Sequence, residues 1–323
     1  MKKILFLSYD GMTDPLGQSQ VIPYLEGLSK SGYGITILSF EKKERFKKNE
    51  NNIRLLLDKS GIQWEPLFFS VRPPLLSKLY DAWQMKKRAL LLHKRENFSF
   101  IHCRSYVAAG TGVFMKRRKK VPFLFDMRGF WVDERVDNGQ WKLSNPLYRV
   151  IYKKYKSKEK VYLNDSAHII SLTKNGKEEL VKNYGVNADK ITVIPCCVDL
   201  DHFDYNKIKE EDIFNLKKQL SIEESEKILT YLGSLGGWYL LDEMLDFFLE
   251  MKKKIPGLKF LFITHDAEET ILTFAQSKGI NSCDIIVKPA SRNEVPAFLS
   301  LSDWSIFFIK DAYSKKGSSP TKQ

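Results

Sequence analysis

Short apolar runs alternate with amphipathic stretches along the whole chain. The apolar runs predict strands that are buried on both faces, because a half-exposed strand would alternate polar and apolar residues. The amphipathic stretches between them predict helices. In the first part of the chain the predicted strands are Lys3–Ser8, Ile35–Phe40, Gln63–Phe68, Phe100–Cys103, Phe123–Asp126, His168–Ser171 and Ile191–Ile194, and the predicted helices are Ser19–Lys30, Leu75–Arg95, Tyr106–Arg118, Pro146–Leu163 and Lys174–Asn183. This alternation indicates an α/β fold with a parallel sheet between two helical layers.

The pattern restarts in the last third of the chain. Pro195 and the turn-prone stretch 199–201 end the first unit, so we expect one domain at 1–195 and a second at 196–323. The second part predicts the strands Ile228–Gly233, Lys259–Thr264, Asp284–Val287 and Trp304–Ile309 and the helices Leu240–Lys254, Glu268–Lys278 and Asn293–Leu301. Four strands are few for a doubly wound sheet, and the last one would be an open apolar edge. We therefore expect two doubly wound domains, the second incomplete at its C-terminus.

Composition adds charge to this picture. The 323 residues are 43% hydrophobic and 28% charged, as in ordinary soluble proteins, but the net charge is +13. Such an excess predicts an anionic partner, which could be nucleic acid, a phosphorylated ligand or an acidic membrane surface. The apolar stretch at residues 4–7 is too short for a signal peptide, and no stretch approaches the ~20 residues of a membrane span. We expect a cytoplasmic protein, with peripheral attachment at the inner face of the membrane as an option.

Cysteines and histidines do not predict a metal centre. The four cysteines, Cys103, Cys196, Cys197 and Cys283, lack the spacing of metal ligands and are interpreted as reduced thiols. The five histidines are scattered along the chain, without a pair at i and i+4. We therefore expect neither a metal nor a cofactor.

Two basic stretches of the sequence are candidates for contact with the anionic partner. Residues 115–120 (MKRRKK) would end a helix, where cations complement the helix dipole. The predicted helix at 149–162 interleaves tyrosines with lysines; a solvated face with snorkelling lysines is the favoured interpretation, and attraction to an anionic leaflet is the second. Nucleic acid is the weakest alternative, because no RNP, KH or zinc-finger signature is present.

Ligands of open α/β sheets bind at the carboxyl ends of the strands, so the loops that follow strands are the candidate sites. Gly17 precedes a helix and would let an anion approach the helix N-terminus, although a turn with an N-cap explains it equally well. Gly233, Gly236 and Gly237, with Ser234 among them, would expose backbone N–H groups to a phosphate. This cluster is a weak signal, because it matches neither G-x-G-x-x-G nor the P-loop.

The loop MRGFWVDERVDNG after the fifth predicted strand is charged and aromatic. Arg128, Asp133 and Glu134 there favour recognition of a ligand, and a salt-bridged surface loop is the alternative. His102 ends a buried strand, so a structural histidine competes with a functional one. No G-x-G-x-x-G follows the first strand, which argues against a dehydrogenase.

With these loops identified, the chain resembles the family-four retaining glycosyltransferases of the GT-B fold along essentially its whole length. The most specific part is SLTKNGKEELVKNYGVNADKITVIPCCVDLDHF, in which Cys196-Cys197 replaces the family's Asn-Gly. FSFIHCRS is similar to another family segment, with Arg104 in place of its second histidine. The resemblance implies two Rossmann-like domains, with the acceptor bound by the first and the donor by the second.

The resemblance also implies roles for particular residues. Ser234 and Tyr239 stand near the places of the usual diphosphate-binding arginine and lysine, so backbone N–H groups would carry more of that contact, with Lys310 and Lys322 as further cations. Where many members carry a histidine near the reacting sugar, this sequence offers Arg128 or Asp126. The remaining assignments are His102 as a third catalytic candidate, Gly17 with Gly233, Ser234, Gly236 and Gly237 for the donor diphosphate, and Arg104, Asp133 and Glu134 for acceptor or sugar recognition.

The implied activity is transfer of a sugar from a nucleotide-diphosphate donor to a glycan or lipid-linked acceptor, with retention, in cell-surface polysaccharide synthesis. The final SSPTKQ is similar to the start of a segment that leads to the family's E-x7-E region, so the chain is expected to be truncated there. A catalytically incomplete nucleotide-sugar-binding module, or half of a split enzyme, is the alternative. A basic membrane-associated or nucleic-acid-binding protein is the third hypothesis, and the sequence leaves the oligomeric state open.

Overall fold

The computed structural model describes residues 1–71 and 73–320, and the chain forms two compact units. The first unit contains Met1–Cys197 together with Ala312–Ser319, and the second contains Val198–Asp311 and Pro320. The chain thus leaves the first unit two residues after the boundary expected at 195, and it contributes to that unit again near its end.

The first unit is built on a sheet of seven parallel strands in the order β3-β2-β1-β4-β5-β6-β7. The strands are β1 (Lys2–Ser8), β2 (Tyr33–Glu41), β3 (Gln63–Phe68), β4 (Phe100–Arg104), β5 (Phe123–Asp126), β6 (His168–Ser171) and β7 (Ile191–Val193). The predicted doubly wound parallel sheet is confirmed, and every strand predicted for this unit is present.

Helices connect these strands on both faces of the sheet. They are α1 (Ile22–Lys30), α2 (Lys43–Lys59), α3 (Pro74–Glu96), α4 (Ser105–Lys119), α5 (Trp131–Asp137), α6 (Pro146–Asp165) and α7 (Lys174–Tyr184), and a π-helical turn at Gly17–Val21 precedes α1. The sequence did not predict α2, because only Ile53 and Leu57 of its strongly charged sequence are buried and its apolar stripe is thin. It also did not predict α5, which is short and lies in the charged loop after β5.

Alternate residues of the central strands face opposite core layers. In β1, Leu5 and Leu7 pack into the layer that α3 and α4 cover, and Phe6 packs into the layer that contains Ile22 and Leu57. Both faces of the sheet are therefore dry, and ligands can reach it only at its edges and at the strand ends.

The second unit contains a smaller parallel sheet in the order β10-β9-β8-β11. Its elements are α8 (Glu210–Gln219), β8 (Lys227–Leu232), α9 (Leu241–Lys254), β9 (Leu258–Ile263), α10 (Glu268–Ser277), β10 (Ile285–Lys288), α11 (Val295–Leu299) and β11 (Trp304–Ser305). The last strand is shorter than the predicted Trp304–Ile309. Ile309 forms an antiparallel bridge with Tyr239 instead, so the chain leaves the sheet after Ser305 to pair with the loop that follows β8.

Candidate functional site

Polar side chains gather where three neighbouring strands of the first unit end. Asp10 follows β1, His102 and Arg104 belong to β4, Asp126 ends β5, and Arg128 lies two residues further on. The register pairs Arg104 with Asp126, which brings the carboxyl ends of β4 and β5 together. We call these five residues the Asp126 cluster. It unites the three catalytic candidates of the sequence analysis with Arg104, which was predicted to contact acceptor or sugar.

Asp126 lies at the centre of this cluster. Its Oδ2 atom is 3.5 Å from Nε2 of His102 and 3.8 Å from Nη1 of Arg104. Its Oδ1 atom is 3.9 Å from Nη1 of Arg128, and it is buried without a hydrogen-bond partner in the part of the chain that the structure describes. A carboxylate oxygen with free lone pairs in such a place can accept a hydrogen bond from a ligand hydroxyl group.

The surroundings keep Asp126 ionised. Burial alone would raise its pKa, but the hydrogen bond with His102 and the charges of Arg128 and Arg104 hold the pKa below the ordinary value. Burial, followed by the charge of Arg128, lowers the pKa of the Arg104 guanidinium, which remains a cation at neutral pH. Asp126 is therefore suited to orient a hydroxyl group or to stabilise positive charge, and it cannot serve as a proton donor near neutral pH.

Two residues that the sequence analysis missed complete the cluster. Oε1 of Gln20 accepts from Nη2 of Arg128 at 2.9 Å and from Nη2 of Arg104 at 3.3 Å, so one amide holds both guanidinium groups. The Tyr24 hydroxyl is 3.2 Å from Nδ1 of His102. Gln20 and Tyr24 are four residues apart, a spacing that places both on one helical face just after Gly17. That spacing was the signal that could have identified them.

The backbone is strained at the ends of β4 and β5. Ser105 has φ 68° and Arg128 has φ 58°, both in the left-handed region that residues with a side chain avoid, and Gly129 follows with φ 106°. Each non-glycine residue in this region costs about 1–2 kcal/mol. Strain of this kind concentrates at binding and catalytic sites, where the surrounding structure enforces it.

Gly17 supports the loop that follows β1. It is buried, and an ideal Cβ at this position would lie 2.7 Å from Cα of Met12 and closer still to the carbonyl oxygen of Gly11. The buried carboxylate of Glu41 accepts from the Met12 N–H at 2.8 Å and from the Thr13 N–H at 3.1 Å. The backbone donors of this loop are thus directed at a protein carboxylate, and the observed role of Gly17 is close packing.

Asp133 and Glu134 lie on α5 and point to other partners. Asp133 accepts from the Tyr152 hydroxyl at 2.7 Å and from Nζ of Lys156 at 2.8 Å. Lys156 also pairs with the fully buried Glu159 at 2.6 Å. Within the described residues no hydrogen bond or ion pair joins Asp133 or Glu134 to the Asp126 cluster. The network around Asp133 instead fixes α5 to α6.

Residues 312–319, which we call the terminal segment, pack on the first unit. The Tyr313 hydroxyl donates to Oε1 of Glu179 at 2.8 Å, and Nζ of Lys316 lies 3.1 Å from Oε2 of the same residue. The Ser314 N–H donates to Asp137 at 2.9 Å. Lys315 pairs with Glu134 at 3.1 Å, so Glu134, like Asp133, has a partner outside the Asp126 cluster.

The terminal segment reaches the edge of the Asp126 cluster. Gly317 packs on the backbone of Gly129, and a Cβ on Gly129 would lie 3.3 Å from the Gly317 carbonyl oxygen. Oγ of Ser319 accepts from the Cys196 N–H at 3.3 Å, and the Cys196 thiol is 3.1 Å from Nη2 of Arg128. The Cys196 position, which departs from the family pattern, is therefore in direct contact with a site arginine.

In the second unit, the predicted glycine loop follows β8. Gly233, Gly236 and Gly237 have φ values of 114°, 83° and 63°, a conformation that requires glycine. The Tyr231 hydroxyl donates to the Ser234 carbonyl oxygen at 2.7 Å. Ser234, Gly236 and Gly237 are exposed, and a Cβ on Gly236 would meet nothing within 4 Å. The N–H groups of Gly233 and Leu235 donate to the Ile263 carbonyl oxygen and to the Asp266 carboxylate, so the backbone of this loop is exposed to a ligand at Ser234, Gly236 and Gly237.

Lys310 is tied to the glycine loop through its backbone, because its N–H donates to the Trp238 carbonyl oxygen at 2.9 Å. Its side chain is exposed. The Leu240 N–H similarly donates to the Phe308 carbonyl oxygen at 3.0 Å. Lys322, the second predicted cation, lies outside the described residues.

Two other features, a membrane-spanning helix and a metal-binding group of side chains, are absent from the described ranges. Between residues 1 and 320, leaving out residue 72, no helix has the length and apolar character to cross a membrane. Over the same residues no three His, Cys, Asp or Glu side chains are grouped so that they could hold a metal ion.

Two α/β units, each with a parallel sheet and a polar loop cluster at the carboxyl ends of its strands, form the architecture of the GT-B glycosyltransferases. Residues 20–202 match the model of Glycosyltransferase Family 4, which is more than half of the 323 residues. The chain therefore belongs to Glycosyltransferase Family 4. The matched range contains His102, Arg104, Asp126 and Arg128.

Individual relatives are distant. An uncharacterized glycosyltransferase of Methanocaldococcus jannaschii is 22% identical over 157 residues, which are 49% of this chain and only 37% of that protein. A glycosyltransferase structure from Rickettsia africae shares the fold with a TM-score of 0.65 and 16% identity over 95% of this chain and 72% of that one. A UDP-GlcNAc 2-epimerase from Neisseria meningitidis, solved with UDP-GlcNAc bound, has a TM-score of 0.56 and 13% identity over 94% of this chain and 76% of that one. At these identities the solved structures establish the fold alone.

Proposed function

We propose that this protein transfers a sugar from a nucleotide-diphosphate donor to a glycan or lipid-linked acceptor, with retention of the anomeric configuration. The observation that carries the proposal is the family match, which contains four of the five residues of the Asp126 cluster. The epimerase of similar fold that was solved with UDP-GlcNAc supports a nucleotide sugar as the ligand class. We further propose that the transfer takes place in the cytoplasm and serves cell-surface polysaccharide synthesis, as the family resemblance implies.

The first unit supplies groups that suit a sugar. Asp126 is held ionised, and its unpaired Oδ1 atom can accept a hydrogen bond from a sugar hydroxyl group. Arg104 and Arg128 present two cations that Gln20 holds in place. Under the proposal these cations stabilise negative charge, and Asp126 orients the hydroxyl group.

The second unit supplies groups that suit a diphosphate. The loop from Gly233 to Gly237 exposes its backbone at Ser234, Gly236 and Gly237, and the Lys310 N–H is bonded to the Trp238 carbonyl oxygen just after this loop. Retention would proceed by departure of the nucleotide diphosphate on the face that the acceptor attacks. Backbone N–H groups and cations lower the energy of that step by stabilising the charge that develops on the leaving oxygen.

A titration of the full chain with UDP and with GDP tests the diphosphate site. Gly236→Ala places a methyl group over the exposed backbone, so we expect the dissociation constant to rise roughly tenfold. Gly279→Ala is the matched control, since Gly279 has φ 78°, also has open space around its Cβ position and lies in the same unit. Equal affinities for the wild type and both variants would remove the glycine loop from the site.

The role of Lys310 and the transfer itself need two further measurements. Lys310→Ala should weaken UDP binding, whereas Lys254→Ala, the loss of an equal charge from the exposed C-terminal end of α9, should not. Incubation with a panel of nucleotide sugars, followed by NMR of the released or transferred sugar, reports both transfer and anomeric configuration. Nucleotide binding without any transfer would favour the binding-module alternative, and an inverted product would contradict retention.

A further inference from the structure

One face of α3 carries a row of large apolar side chains that the protein leaves uncovered. Leu76, Leu79, Tyr80 and Trp83 are between 51% and 65% exposed. Their spacing of i, i+3, i+4 and i+7 places all of them along one side of the helix, and we call them the α3 stripe. The rings of Tyr80 and Trp83 stack with their centroids 5.6 Å apart. Isolated exposed leucines are normal, but a contiguous row marks an interaction site.

The protein does not need the α3 stripe for its own core. The opposite side of the helix is the one that packs, through Asp81, Met85, Ala89 and Leu92, which are all buried. Asp81 accepts from the Tyr9 hydroxyl at 2.6 Å and so anchors this side to the loop after β1. The helix is thus apolar on two faces, and only one of them is used in folding.

The charge beside the α3 stripe is positive. Helix α3 contains six lysines and arginines but only two acidic residues, Asp81 and Glu96. Asp81 is buried, and Glu96 is paired with Lys3 at 2.7 Å and with Arg95 at 2.9 Å. Arg88 and Arg95 pair with Glu65 of β3, so the positive charge beside the stripe comes from Lys86 and Lys87. Lys87 continues the row, with its ammonium 5.2 Å from the Trp83 ring centroid.

Lysines of α6 extend this positive surface. Helices α3 and α6 both pack against α4, so their lysines lie on the same face of the sheet. In keeping with this placement, burial and then the charges of Lys154 and Lys86 lower the pKa of Lys158. Lys86 lies over the Phe114 ring at 5.8 Å and Lys158 over the Tyr155 ring at 5.2 Å. Concentrated like charge of this kind attracts an anionic partner.

We propose that the α3 stripe and the lysines beside it, Lys86, Lys87, Lys154 and Lys158, form a docking surface for an anionic lipid bilayer. Leucine, tyrosine and tryptophan side chains suit the boundary between headgroups and acyl chains, and the lysines suit anionic headgroups. Protein–protein interfaces are depleted in lysine, so a cluster of lysines around exposed apolar residues fits a lipid surface better than a protein one.

The docking surface adjoins the end of the sheet where the Asp126 cluster lies. Helix α3 begins after β3 ends, so its first turns are at the carboxyl edge of the sheet. Lys78 confirms this, since its ammonium donates to the hydroxyl of Tyr9, the residue after β1, at 3.2 Å. A bilayer on the α3 stripe would lie at this same edge. The inference does not depend on the proposed transfer reaction, because lipid binding is measured without any sugar.

Flotation of the full chain with lipid vesicles tests the proposal. We expect binding to vesicles of phosphatidylcholine mixed with phosphatidylglycerol, and little binding to phosphatidylcholine alone. Binding should weaken as salt concentration rises. The double variant Leu79→Gln/Trp83→Gln should bind about tenfold more weakly, because both side chains lose their insertion into the apolar boundary. Lys86→Gln/Lys87→Gln should lose roughly fivefold for each lysine.

Helix α2 supplies matched controls on the opposite face of the sheet. The exposed fraction of Leu55 is 61%, similar to the 65% of Leu79, so Leu55→Gln removes a comparably exposed side chain. Lys47→Gln/Lys48→Gln removes the same net charge from two adjacent exposed lysines. Both controls should bind vesicles like the wild type. Equal losses in the α2 and α3 variants, or equal binding to both kinds of vesicle, would overturn the proposal. So would a dimer in solution that Leu79→Gln/Trp83→Gln dissociates, combined with no vesicle binding by the wild type.

Discussion

The carboxylate of Asp126 is buried, charged and only partly hydrogen-bonded. A carboxylate in this position is costly unless cations and hydrogen bonds compensate it. Here the cations Arg104 and Arg128 lie beside it, and His102 is within hydrogen-bonding distance. The arginines are equally dependent on Asp126, because Arg104 is buried and Arg128 is mostly so. At the scale of single residues, the site is therefore a set of charges that stabilise one another and leave one oxygen atom, Oδ1, for a ligand.

Replacing the Asp126 carboxylate tests whether the charges of this cluster stabilise one another. Asp126→Asn should destabilise the protein by about 3–5 kcal/mol at pH 7, because two guanidinium groups lose their common carboxylate. The folded-state pKa of Asp126 lies below its ordinary value, so its contribution is complete above about pH 3.9 and is lost as the pH falls through the folded-state pKa. In urea denaturation at a series of pH values, the difference between wild type and variant should therefore shrink in acid.

Asp58→Asn, an exposed change on α2, is the control for this experiment and should alter stability by no more than about 0.5 kcal/mol at any of these pH values. A difference between wild type and Asp126→Asn that stays constant into acid would contradict a depressed pKa. A variant as stable as the wild type would show that the arginines find other partners.

At the scale of elements, the loop after β1 shows how backbone packing prepares a site. Gly17 lets the start of the π-helical turn lie directly on Gly11 and Met12, and this contact sets where Gln20 and Tyr24 emerge. Those two side chains then hold Arg104, Arg128 and His102. The position of the turn is thus linked to the position of the charged groups.

Two glycines of this region should respond to the same substitution with opposite sign. Gly17→Ala forces a Cβ into backbone atoms and should destabilise the protein by about 1–3 kcal/mol. Gly27→Ala, inside α1 with no atom within 4 Å of the added Cβ, should stabilise it by about 0.5–1 kcal/mol, since alanine loses less entropy in a helix. Thermal unfolding of both variants measures the signs, and destabilisation by Gly27→Ala would contradict the packing observed around α1.

At the scale of the whole molecule, each unit has its own core. Leu5, Leu7 and Phe125 belong to a core of the first unit, and Phe248 and Phe260 belong to one of the second. Both sheets are covered by helices from their own unit. Two separate cores are expected to unfold with separate free energies.

A core truncation in the second unit tests this independence. Phe248 is fully buried and stacks on Phe260 with ring centroids 5.4 Å apart, so Phe248→Ala should cost about 3–5 kcal/mol. Hydrogen exchange should accelerate for the amides of β8 and β9, while β1 and β4 stay protected. Phe274→Ala, at a 45% exposed position on α10, is the control and should leave both sets nearly unchanged. Equal acceleration in β1 would show that the two cores unfold together.

Much of the fold was predictable because a strand that is buried on both faces appears in the sequence as a nearly continuous run of apolar residues. The run at Lys3–Ser8 and the other apolar runs identified every strand of the first sheet. The helices that were missed, α2 among them, bury too few residues to produce an apolar stripe. Of the site, the loops at the strand ends were predictable, since the carboxyl ends of parallel strands meet at one edge. The spacing of Gln20 and Tyr24 places both on one helical face after Gly17, but nothing in the sequence shows that they contact the two arginines and His102.

The sequence by itself determined the alternation of strands and helices, and it determined that Arg104, Asp126 and Arg128 lie at the carboxyl ends of two consecutive strands. These properties depend on residues within a few positions of one another. The tertiary structure decided which groups meet across long separations, such as Ser319 with Cys196, 123 residues apart, and Tyr24 with His102, 78 residues apart. It also decided which apolar face of α3 enters the core. Both faces have helical spacing, and only the packing of the sheet against one of them leaves the other for a partner.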